Sequence, residues 1–151
     1  MVQGVCVFDI DYTLTCESIC SLEQVDYMKK TIDLCVSKDF GIAINTARPP
    51  QADILFNIPS DVKTQLANVP VYSRHEDGPA VELQKLENMH AIANKFNVGV
   101  EHTILIDDLE TTCDLLTSLH IPSIKVEDKN GISEKEYNVL GAVICAMSQH
   151  N

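Results

Sequence analysis

The sequence contains no tryptophan, and aromatic residues make up only 5% of it. Basic residues are scarce as well: 11 Lys and Arg stand against 22 Asp and Glu, for a net charge of -11. With no basic stripe to neutralise a phosphate backbone or an anionic lipid surface, neither nucleic acid nor a membrane is expected as a partner. No apolar run approaches the ~20 residues that cross a bilayer. No basic segment precedes the short apolar run near Met1, so no secretory signal is expected. None of the six cysteines forms a Cys-x-x-Cys, and the five histidines are scattered, which argues against zinc. Cys6, Cys35 and Cys145 sit in apolar stretches and read as small core residues. The chain is too long and too rich in core residues for a disulfide-stapled scaffold, so a reducing, cytoplasmic setting is expected.

What is present is a single alternating pattern. At 151 residues and 45% hydrophobic, the chain is expected to form one domain over 1–151. Val5–Phe8, Phe40–Ile44, Pro70–Tyr72, Thr103–Ile106 and Ile121–Val126 read as short buried strands. Helices are expected between them. One opens at the capping box Ser21-Leu22-Glu23-Gln24, with Leu22, Val25, Met28, Ile32 and Val36 on its apolar stripe. Pro49 and Pro50 suit the first turn of another, and Ser60-Asp61 can cap a short one. A long amphipathic helix runs to about Phe96. Leu115, Leu116 and Leu119 mark the next, and Ser133-Glu134-Lys135-Glu136 opens the last. Continuous apolar strands alternating with helices predict an α/β fold: a Rossmann-like doubly wound parallel sheet of about five strands with helices on both faces.

Ligands of such sheets bind beyond the carboxyl ends of the strands. Asp9, Asp11 and Thr13 follow the first strand, Thr46 and Arg48 the second, and Asp107 and Asp108 the fourth. In extended chain, residues two apart face the same way, so Asp9 and Asp11 are expected to point together into the crevice. A cluster of Asp9, Asp11, Asp107 and Asp108 demands a cation, and oxygen ligands alone point to Mg²⁺. A calcium loop of the EF-hand type is excluded, because its glycine and glutamate positions hold Leu14 and Cys20.

Phe8-Asp9-Ile10-Asp11-Tyr12-Thr13-Leu14-Thr15 resembles motif one of the haloacid dehalogenase-like superfamily. Ile42-Ala43-Ile44-Asn45-Thr46-Ala47-Arg48 resembles its motif two, and Ile104-Leu105-Ile106-Asp107-Asp108 its motif four. The double aspartate and the Asp-Tyr-Thr-Leu wording are similar to the magnesium-dependent phosphatases of that superfamily. The third motif is a lysine; Lys85, 22 positions before Asp107 (107 − 85), has the family's interval, ahead of Lys95 and Lys63.

The resemblance implies a phosphatase. Asp9 would be the nucleophile, Asp11 the acid–base group, Thr46 and Lys85 the phosphoryl-binding catalytic pair, and Asp9, Asp11, Asp107 and Asp108 the Mg²⁺ site. Asp11 would contribute its backbone carbonyl to the metal. Glu110 stands where many relatives carry a further Asp or Asn. Thr13, Asn45 and Arg48 fall on the substrate side, Arg48 either touching substrate or capping a turn. The alternative is a catalytically idle module that binds Mg²⁺ and a phosphorylated partner. Neither the 31 positions between Thr15 and Thr46 (46 − 15) nor the 39 between Thr46 and Lys85 (85 − 46) hold a cap domain. The crevice is then open, rimmed by loops such as Cys16–Cys20 and Ser73–Pro79. It suits a phosphorylated macromolecule, or a small phosphate enclosed by a neighbouring subunit of a homo-oligomer.

Overall fold

The computed structural model describes residues 1–148. Five strands, β1 (Gly4–Phe8), β2 (Phe40–Asn45), β3 (Val71–Tyr72), β4 (Thr103–Asp107) and β5 (Ser123–Lys125), form one sheet in the order β3-β2-β1-β4-β5. All four pairings are parallel. Five helices connect or follow them: α1 (Leu22–Ser37), α2 (Ser60–Gln65), α3 (Val81–Phe96), α4 (Glu110–Ser118) and α5 (Glu134–Ser148). A 3₁₀ turn, Val100–His102, leads into β4. The expected α/β, Rossmann-like architecture is the one observed.

Strand alternation divides the core in two. Cys6, Phe8, Ile44, Ile104 and Ile106 pack with Met28, Ile32, Val62, Leu140 and Ile144 of α1, α2 and α5. Val5, Val7, Ala43 and Leu105 pack on the other face with Met89, Ile92 and Leu116 of α3 and α4. The strands grow outward from β1 in both directions, so the sheet reverses its winding between β1 and β4. Crevices of this fold class open at that point.

Some local expectations are corrected. On α1 the buried residues are Met28, Thr31, Ile32 and Cys35, while Leu22 and Val36 face solvent. Thr31 tolerates burial because its hydroxyl donates to the Tyr27 carbonyl at 2.7 Å. The Ser21 capping box forms on both sides. At the last helix only half of the box appears: the Ser133 amide and hydroxyl both donate to Glu136 Oε1, at 2.9 and 2.8 Å. The short helix begins at Ser60 with Pro59 as its cap residue. Pro49-Pro50 starts no helix; the stretch to Ile58 is a chain of turns. The reason is Arg48, whose guanidinium takes the carbonyls of Ile54 and Phe56 that a helix would have used internally.

The cysteine reading also changes. Cys16 and Cys20 form a disulfide, since the turn before α1 brings their Cα atoms to 5.4 Å. Cys6 and Cys35 are core residues as expected, but Cys145 is exposed. No helix among the described residues is long and apolar enough to cross a membrane.

Gly131 locks the turn after β1 to the loop before α5. Its φ is +84°, and an added Cβ would stand 2.5 Å from Met28 Cε and 2.8 Å from the Thr13 carbonyl oxygen. Gly131→Ala should therefore destabilise the protein by about 2 kcal/mol, lowering the melting temperature by roughly 4–8 °C. An unchanged melting curve would contradict this packing.

Candidate active site

The register sets the site. Phe8 is level with Ile44 and with Ile106, so Asp9, Asn45 and Asp107 stand side by side at the carboxyl edge. Asp9 continues the Val5–Val7 face and Asp107 the Leu105 face, which α3 covers. On α3 the buried stripe of Met89 and Ile92 continues one turn toward the helix start as Lys85. A lysine is thereby brought over two aspartates by ordinary helical and strand periodicity.

The Lys85 side chain is 1% exposed, and its ammonium donates to Asp9 Oδ1 at 2.9 Å and to Asp107 Oδ2 at 2.5 Å. The other Asp107 oxygen accepts from the Leu109 amide at 3.0 Å. Thr13, fully buried, directs its hydroxyl at Asp9 Oδ2 over 3.5 Å. Asp9, Asp107 and Asp108 each bring a carboxylate oxygen within 4.8 Å of the others. Asp9 and Asp107 are buried, while Asp108 is half-buried at the opening.

Two carboxylates here share one ammonium, with a third, Asp108, beside them. Burial pushes the Asp9 carboxyl well above the usual carboxylate range; Lys85 opposes that, and Asp107 and Asp108 add to it. Burial likewise raises Asp108. For Lys85, burial acts against the charge, but Asp9 and Asp107 prevail and hold the ammonium above the ordinary lysine range. Burial, reinforced by Asp107, pushes the nearby Cys113 thiol up to about 12, so it is no thiolate at neutral pH. The uncompensated negative charge fits a divalent cation, and the oxygen-only donors fit a hard one.

Asp11 does not join this cluster. Its side chain is 52% exposed and makes a two-pronged pair with Arg48: Nη2 to Oδ1 at 2.9 Å, Nε to Oδ2 at 3.3 Å. The expectation that its carboxylate would converge with that of Asp9 assumed extended chain. The strand ends at Phe8, and residues 11–14 form a turn in which Tyr12 has φ +60°. Arg48 is correspondingly committed within the protein and presents no open fork to a substrate. Thr46 is buried, and its hydroxyl oxygen accepts from the Arg48 amide at 3.1 Å.

Asn45 is also committed. Its Nδ2 donates to the Lys85 carbonyl at 2.9 Å, and its Oδ1 accepts from Asn88 Nδ2 at 3.0 Å. Asn88 further donates to the Ser73 carbonyl. Asn45 thus fastens the Lys85 turn of α3 to β2. Asn88 and the Leu109 amide were not singled out from sequence. The one available signal for Asn88 was a polar residue on the buried stripe of an amphipathic helix. Glu110 starts α4 and lies 3.9 Å from Lys125, outside the carboxylate group.

No family model matches the sequence, and no curated protein matches it. Among solved structures, an uncharacterized protein from Corynebacterium glutamicum is similar over 95% of this chain and 96% of its own, with a TM-score of 0.69 and 11% identity. That likeness establishes a shared fold over nearly the whole of both chains.

Two outcomes follow from the charge arrangement. Lys85→Met leaves two buried aspartates unpaired and should cost about 3–5 kcal/mol at neutral pH. The Asp9 carboxyl, already pushed up by burial and no longer opposed by Lys85, then binds its proton more tightly folded than unfolded, so part of the loss should return as pH falls. Denaturant titrations across pH check both the size and the sign; a small, pH-independent loss would contradict them. In the unaltered protein a proton on Asp9 competes with any cation. Mg²⁺ affinity, measured by calorimetry, should therefore rise as pH increases above the ordinary carboxylate range; a flat or falling affinity there would contradict the raised Asp9.

Proposed function

We propose that the chain is a Mg²⁺-dependent phosphatase that hydrolyses a phosphomonoester through a phospho-aspartyl intermediate on Asp9. The observation that carries this reading is the buried ammonium of Lys85 held between Asp9 and Asp107 at the carboxyl edge, with Asp108 at its opening. A structural ion pair needs one carboxylate for one lysine. Three carboxylates around one lysine, at the edge where this fold class binds ligands, make a charge deficit that a metal and a phosphoryl group fill together. The order and wording of the three acidic and threonine motifs point the same way.

In this reading an Asp9 oxygen attacks phosphorus in line, and the bond to the leaving oxygen breaks as that oxygen takes a proton from Asp11. Water then attacks the same phosphorus and gives a proton to Asp11. The Asp9–phosphorus bond breaks, inorganic phosphate leaves, and the carboxylate is restored. Asp9, Asp107 and Asp108 would hold Mg²⁺, which would supply the charge neutralisation that an anionic carboxylate needs to approach an anionic phosphoryl group. Lys85 opposes the effect of burial on Asp9 and would meet the transferred phosphoryl oxygens. Thr46 already accepts from the Arg48 amide, so its own O–H remains to donate to a phosphoryl oxygen.

The stretch from Ala47 to Ala80 contributes only the six-residue α2 and the two-residue β3. No cap stands over the crevice in this reading. A phosphorylated macromolecule, or a small phosphate covered by a second subunit, is the substrate class such an open site accommodates.

The test is hydrolysis of a generic aryl phosphate. Turnover should require Mg²⁺, vanish with chelator and be blocked by Ca²⁺, whose larger and looser coordination misplaces Asp9. Asp9→Asn should lower turnover by about 10³-fold or more while the fold persists. Full turnover in chelator, or near-normal turnover in Asp9→Asn, ends this reading.

A further inference from the structure

Arg48 joins two parts of the mouth that nothing else in the described hydrogen-bond network joins. Four of the five N–H groups of its guanidinium are used. One edge, Nε and Nη2, grips both oxygens of Asp11 at 3.3 and 2.9 Å. The other edge, Nη1, donates to the carbonyls of Ile54 and Phe56 at 3.0 and 2.5 Å. Its backbone is fixed as well: the amide donates to Thr46 Oγ1, and the carbonyl accepts from the Arg74 amide at 3.2 Å. The side chain is mostly buried, although its partner Asp11 is half in solvent. The segment it holds, 49–58, has little structure of its own beyond turns, among them Asn57 at φ +73°.

We propose that Arg48 is a positioning residue that sets where the Asp11 carboxylate stands and ties it to the 49–58 segment, so that the acid–base group and the rim of the crevice form one unit. The inference rests on the phosphatase reading for the role of Asp11. Arginine is needed for its planar shape. A lysine ammonium carries the same charge, but it cannot offer one edge to a carboxylate and another to two carbonyls. With Arg48 gone, Asp11 keeps no charged partner among the described contacts and is free to turn into solvent. The cost then falls on the steps that need it at a fixed place.

The experiment compares the full chain with Mg²⁺ on phenyl phosphate and on p-nitrophenyl phosphate, whose leaving groups differ in their need for a proton. kcat/KM reports bond breaking to the leaving group, and kcat includes hydrolysis of the shared phospho-Asp9. In Arg48→Ala, kcat/KM should fall about 10–100-fold more for phenyl phosphate than for p-nitrophenyl phosphate, and kcat should fall for both. Arg48→Lys should behave like Arg48→Ala. Asp11→Asn should show the same split, and adding Arg48→Ala to it should cost little more. An equal loss on both substrates, full rescue by lysine, or losses that multiply in the double variant would overturn the positioning role. Failure of all Arg48 variants to fold would also overturn it, leaving Arg48 a structural tie. An active wild type with an even loss refutes this inference alone. A wild type without Mg²⁺-dependent turnover refutes the phosphatase reading and takes this one with it.

Discussion

The placement of one ammonium between two buried carboxylates governs the rest of the site. Lys85 is nearly inaccessible, and a lysine in that position is tolerable only because Asp9 and Asp107 both accept from it. The converse holds as well: Lys85 is the cationic partner of both aspartates among the described contacts. The surrounding structure serves that contact. Asn45 holds the Lys85 turn of α3 through its carbonyl, Asn88 holds Asn45, and the Leu109 amide takes the second oxygen of Asp107. These partners are all neutral, so the site is made rigid without changing its charge.

Much of the fold was legible because parallel strands buried on both faces read as continuous apolar runs, and each of the five was found at its expected place. Lys85 was legible by its interval from Asp107, which corresponds to one helix and a return to the strand. Where the reading failed, a local rule had been carried past its range. Two-residue alternation holds along β1 and ends with it, so it placed Asp9 on the α3 face and misplaced the carboxylate of Asp11, which opens the turn at Tyr12. Two prolines favour a helical first turn, but the carbonyls of that segment were claimed by a side chain earlier in the chain. Cys16 and Cys20 carried no disulfide signal in their spacing; only the turn before α1 brings them together. Asn88 and the tie it makes to Asn45 were illegible for a different reason: a buried amide pair is specified by two partners 43 positions apart, which no local pattern shows.

Asp9 and Asp11 belong to one turn yet occupy different surroundings. Asp9 is enclosed, beside an ammonium and two carboxylates, where burial dominates. Asp11 stands half in water, gripped by a guanidinium. A site that asks one carboxylate to attack and another to exchange protons benefits from that division, because the two groups then answer to separate neighbours. The floor of the site is strand and helix core, whereas its mouth is a run of turns held by Arg48.

The central claim is that Asp9 receives a phosphoryl group beside a metal held by its acidic neighbours. A crystal structure of the protein grown with Mg²⁺ and beryllium fluoride, an acyl-phosphate mimic, tests it most directly. The account predicts beryllium bonded to an Asp9 oxygen, fluorines facing Lys85 and Thr46, and Mg²⁺ coordinated by the Asp9, Asp107 and Asp108 group. A bare Asp9 with Lys85 still closed on both aspartates under saturating Mg²⁺ and fluoride would contradict it, and would leave the cluster a structural ion network.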